Sequence, residues 1–151
     1  MSASTPASHA GTVSSPWARR AVAGVLGGLA GGIVFGVLMV MMGMFTTIAV
    51  MVGSNSPWVG AGIHLMISIV YGLVLTLFFS RFLHSWGRGS LAGIVYGVIL
   101  WVIGPLLVMP LMLGMPVFGF SVTVMLSLMG HMIYGLLLAL VALRMLKTAK
   151  A

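Results

Sequence analysis

GLAGGIVFGV, residues 28–37, returns as GSLAGIVYGV at residues 89–98. Gly28, Gly32 and Gly36 fall on Gly89, Gly93 and Gly97. Further on, MISIVYGL (66–73) returns as MGHMIYGL (129–136). This sets Tyr71-Gly72 on Tyr134-Gly135, Ser68 on His131, and Arg81 on Arg144. Glycines and aliphatics recur by chance in apolar segments, but ungapped Tyr-Gly and Arg matches do not. The chain is read as a tandem duplication, repeat one over about 21–84 and repeat two over about 88–147.

The composition names the solvent. Of 151 residues, 61% are hydrophobic and only 5% are charged. A soluble domain carries roughly a quarter charged residues, so most of this chain belongs in lipid. There are seven Lys plus Arg and no Asp or Glu. The basic residues flank apolar runs and form no soluble face, which argues against a nucleic-acid partner. Without carboxylates, proton relays of the Asp/Glu kind, Mg²⁺ or Ca²⁺ sites and glycosidase chemistry lack their groups. With no cysteine, disulfides, thiolate zinc sites and iron–sulfur clusters are excluded. The reading is of a protein that is not an enzyme.

Four apolar runs follow a small, polar tail at 1–18: about 21–52, 58–79, 91–113 and 117–143. Each exceeds the roughly 20 residues a span needs. Arg19 and Arg20 before an apolar run suit a cleaved leader, but the run is too long for one and is read as a retained helix. Arg19 and Arg20, Arg81 and Arg88, and Arg144, Lys147 and Lys150 all fall on one side of a four-span topology. The positive-inside rule makes that side cytoplasmic, with both termini inside and the 53–57 and 114–117 loops outside. The expected fold is all-α: a polytopic protein of a bacterial inner membrane, with four transmembrane helices as two parallel two-helix repeats in one domain, 19–151.

Gly24, Gly28, Gly32 and Gly36 are spaced by four, as are Gly89, Gly93 and Gly97. Such spacing cuts a groove that another backbone can enter. The groove pairs the first helix with the third across the pseudo-axis, or it faces a second copy or a membrane-complex partner. The first run is long for a core of about 30 Å. Gly104-Pro105 and Pro110 would break the third run, and Gly43 matches Gly104 in the first. Kinks there predict short segments at 44–52 and 106–115.

His131 lies deep in the fourth run and His64 within the second. One reading has each neutral and hydrogen-bonded across helices, with Ser68, Tyr71, Ser127, Tyr134 or a carbonyl as partners. A second has both imidazoles ligating a haem iron. A third joins them to methionines as a soft Cu(I) site, with Met66 and Met129 as candidate ligands. Among 14 methionines, Met44, Met51, Met109, Met112, Met115 and Met125 crowd the uncharged side, although methionine also serves as ordinary flexible filler. A quinone or lipid pocket and a small channel or transporter for a neutral solute are further readings. No cofactor is required by the sequence itself. Trp17, Trp58 and Trp86 fall at expected interfaces, and Trp101 lies deeper.

Two stretches, GIVYGVILWVIGPLLVMPLMLG (93–114) and SLMGHMIYGLLLALV (127–141), resemble small four-helix bacterial inner-membrane proteins of the YagU-like group. The most specific part is Gly-His-x-x-Tyr-Gly, here Gly130, His131, Tyr134 and Gly135. The likeness covers less than half the chain, and repeat one departs from it with Ser68 in the histidine position. It implies the architecture and the location, and no activity. The functional expectation is a non-catalytic accessory subunit or small homo-oligomer packed through its glycine faces, with haem or Cu(I) handling through His64 and His131 as the alternative.

Overall fold

The computed structural model describes residues 15–148, and His9, Lys150 and most of the expected tail lie outside them. The first helix, α1 (Pro16–Met41), starts inside that tail, so Trp17 and Ala18 are helical. The local chemistry accounts for the early start. Ser15 Oγ accepts the Ala18 N–H at 3.2 Å, and Pro16 occupies a first-turn position where its missing N–H costs nothing. The other elements are α2 (Met44–Val50), α3 (Pro57–Phe78), α4 (Trp86–Ile103), α5 (Met109–Leu113) and α6 (Val122–Thr148). A short 3₁₀ turn, Ser80–Phe82, lies between α3 and α4.

Four helices are long and apolar enough to cross a membrane: Pro16–Met41, Pro57–Phe78, Trp86–Leu113 and Val122–Thr148. Ile33, Val37, Val70, Phe78 and Leu91 stand exposed along their outer faces, a surface suited to lipid and not to water. This is the architecture of a multi-pass membrane protein.

The two breaks differ. Gly43 adopts φ 65°, the left-handed turn that ends α1, and α2 restarts beyond it. At Gly104-Pro105 the helix does not stop as expected. It widens into a π-helical turn, Gly104–Val108, and runs on into α5. A π turn accommodates the missing proline N–H and the ring without ending the helix. The last loop is longer than the sequence suggested. Phe118 N–H donates to the Leu106 carbonyl at 2.9 Å, holding 114–121 non-helical up to α6. A side chain at Gly43 would meet no neighbour, so only backbone strain opposes it. Gly43→Ala should therefore cost about 1–2 kcal/mol, read as a lowered unfolding midpoint in detergent.

The helix pairing corrects the expectation. α1 packs along α3 and α6, and α4 packs along α6; α1 and α4 do not run against each other. A Cβ on Gly24 or Gly28 would overlap the α3 backbone at Gly72 or Ser68, and one on Gly27 or Gly31 would meet Leu138 or Tyr134 of α6. On α4, Gly93 and Gly97 receive the α6 backbone at Gly135 and His131, and Gly89 lies near Leu143. Gly32 faces Ser68, and Gly36 faces His64 and Phe45. The glycine faces are thus covered within the chain. The two hairpins also differ in register. Gly72 wedges between Gly24 and Gly28, whereas Gly135 wedges between Gly93 and Gly97. The second hairpin is slid along itself relative to the sequence match, which sets Gly28 on Gly89.

Candidate functional site

Where no basic residue lies, the ends of the helices surround a cavity of about 330 Å³. Met39 of α1, Met42 beyond its end, Met44 and Met51 around α2, and Met109 and Met112 of α5 line it. α3 contributes His64 and Tyr71, and α6 contributes Ser127 and His131. Helix breaks place the methionines. After Gly43 the short α2 lies against α3, and Gly60 lets it approach, since a Cβ there would collide with the Phe45 carbonyl. The π turn directs Met109 and Met112 into the same space.

The histidine tautomers follow from their partners. His64 Nε2 lies 2.9 Å from the Gly32 carbonyl, and His131 Nδ1 lies 2.7 Å from the Ser127 carbonyl. A carbonyl only accepts, so each of these nitrogens carries the proton. In the neutral rings this leaves a lone pair on Nδ1 of His64 and on Nε2 of His131. Among the described residues neither of these nitrogens has a hydrogen-bond partner, and no buried side-chain nitrogen or oxygen is sealed off without one. Both rings line the cavity. The Ser127 hydroxyl donates to the Val124 carbonyl at 2.7 Å, so it is not held for transfer to His131.

Phe35 joins the two histidines. Its ring centroid lies 5.5 Å from that of His64 and 4.7 Å from that of His131, both edge-on. The imidazoles can be no further apart than the sum of these distances. Phe35 is itself packed against Gly130. Among the described residues no three His, Cys, Asp or Glu side chains come together, so a dication of the Zn²⁺ class lacks its ligand set.

The remaining expected residues divide cleanly. Met66 and Met129 are 59% and 46% exposed and line no part of the cavity. Each is two residues from a histidine that faces inward, which on a helix places it on the far side. Met115 and Met125 also point outward. Ser68 and Tyr134 act between helices: Tyr134 Oη donates to the Ser68 carbonyl at 2.6 Å, and Ser68 Oγ to the His64 carbonyl at 2.8 Å. Trp101 packs inside and donates Nε1–H to the Val124 carbonyl at 2.9 Å. The sequence reading missed Phe35, Met39 and Met42 as cavity residues. Their i, i+4, i+7 spacing was the available signal.

Comparison with protein-family models, with curated proteins and with solved structures finds no match to this chain.

Proposed function

We propose that this chain is a non-catalytic membrane protein that binds a soft monovalent metal, Cu(I), in the cavity at its uncharged end. The observation that carries the reading is a pair of imidazoles, each with one unpartnered ring nitrogen, that line a methionine-rich cavity. The imidazoles and thioethers of this cavity offer electron pairs, and together they suit Cu(I). A quinone would find only hydroxyl donors there, such as Tyr71, because both histidine N–H groups are given to the backbone. The same reading takes the basic end as cytoplasmic and the cavity as facing the outer half of a bacterial inner membrane. The tandem repeats and the likeness to YagU-like proteins belong to it as well. Association with further copies or a membrane partner would use surfaces other than the glycine faces.

The test is a Cu(I) titration of the detergent-purified full chain against a chromophoric chelator under reducing conditions. Stoichiometric binding is expected. His64→Ala and His131→Ala should each weaken it about tenfold or more, equivalent to about 1.4 kcal/mol. Met66→Leu with Met129→Leu should bind as the unaltered chain does. An unaltered chain that fails to compete with the chelator, or histidine variants that compete equally well, would overturn the proposal.

A further inference from the structure

The opposite end of the bundle carries a second, larger depression of about 560 Å³. Three stretches distant in sequence supply its charge: Arg19 and Arg20 at the start of α1, Arg81 and His84 between α3 and α4, and Lys147 near the end of α6. Leu77 and Phe78 of α3 form an apolar part of its wall. All four permanent cations have a partner: Arg20 lies 5.6 Å from the centre of the Trp17 ring and Lys147 5.3 Å from that of Trp86. Arg19 Nη2 donates to the Leu146 carbonyl at 3.3 Å, which ties α1 to α6, and Arg81 lies 4.9 Å from the centre of the Phe82 ring. The sequence has no Asp or Glu with which to neutralise this cluster. Four permanent cations around one concavity repel each other, and a bound anion would relieve that repulsion.

We infer that this depression is a binding site for a phosphate-bearing anion, seated between Arg19, Arg20, Arg81 and Lys147. Arginine guanidinium groups suit phosphate oxygens through paired N–H donors. The apolar wall at Leu77 and Phe78 continues onto the lipid-facing surface, where Phe78 is exposed. An acyl chain can follow that wall while its headgroup phosphate meets the cations, as basic pockets between membrane helices do with anionic lipids. A free phosphate compound would use the same cations without the wall.

Native mass spectrometry of the full chain in detergent, titrated with phosphatidylglycerol or phosphatidylcholine, tests the inference. The expected result is one preferred adduct with phosphatidylglycerol and none with phosphatidylcholine. Arg20→Gln with Arg81→Gln should weaken it about thirtyfold, on the basis of about 1 kcal/mol per cation near a membrane surface. Arg88→Gln with Arg144→Gln removes the same charge from exposed positions outside the depression, and should leave the adduct nearly unchanged. Inorganic phosphate added as competitor separates the sources. If it displaces the lipid at millimolar levels, the cations recognise phosphate alone and a soluble compound fits; if it does not, the lipid is the ligand. Equal adducts with both lipids would overturn the inference without any variant. Equal losses in the two double variants would overturn it too, because they would mean diffuse surface charge.

Discussion

Gly72→Leu should prevent the bundle from assembling. A Cβ at this position would overlap the Gly24 carbonyl and stand 3.1 Å from the Gly28 Cα. Both obstacles are backbone within a helix, so neither can turn aside as a side chain would. Overpacking a core with movable neighbours costs about 1–3 kcal/mol, and the cost here should exceed that range. Within lipid there is little hydrophobic drive between helices, so close backbone contact is what holds α1 to α3. The expected outcome is loss of monodisperse protein in mild detergent, or a melting point far below that of the unaltered chain. Gly135→Leu should behave alike, since its Cβ would overlap the Gly93 carbonyl. Gly62→Leu is the control: it lies in the same helix as Gly72 with no neighbour within 4 Å, and should melt normally. A Gly72→Leu chain as stable as the Gly62→Leu chain would refute the α1–α3 contact.

Phe35→Ala should be the most damaging truncation around the cavity. The ring is 4% exposed and rests edge-on against both histidines. It also fills the space above Gly130, where any Cβ would strike it. Removing it leaves a void that fixed backbone on α1 and α6 cannot close. The cost should be about 3 kcal/mol in unfolding free energy, mostly from lost packing contacts. Both imidazoles would also lose the wall that sets their orientation. Cu(I) affinity should therefore fall together with stability, whereas His64→Ala should lower affinity far more than stability. A Phe35→Ala chain with unaltered melting would mean that the ring is not part of the packed interior.

The spans, the basic end and the turn at Gly43 were legible because each rests on a local property: run length, charge position, or a glycine between apolar stretches. Helix partners were not legible. Four-residue glycine spacing says that a face is open and does not say which helix enters it. The doubled glycines of α1 held more than was read from them. Gly27 and Gly31 beside Gly28 and Gly32 mark two adjacent faces, and α1 uses both, one for α6 and one for α3. The internal sequence match misled for a related reason. It sets Gly28 on Gly89, but helix hairpins can slide by whole turns without changing which side chains face inward, and these two did. At the cavity, His64 and His131 were found by their polarity. Of the methionines on the uncharged side, Met44, Met51, Met109 and Met112 line the cavity with them, whereas Met66 and Met129 do not.

The Arg19–Leu146 hydrogen bond and the two-faced α1 have a consequence for biogenesis. During synthesis α1 precedes the other described helices and can pair with α3 as soon as that helix is complete. Its second face, at Gly27 and Gly31, has no occupant until α6 has entered the membrane, because α6 alone covers it. The bundle is thus completed by α6 docking onto α1, and the nascent chain must keep a groove open from the synthesis of α1 until that of α6. A chain cut short before α6 would remain a loosely held hairpin with that groove facing lipid, a natural substrate for the membrane proteases that clear unassembled proteins.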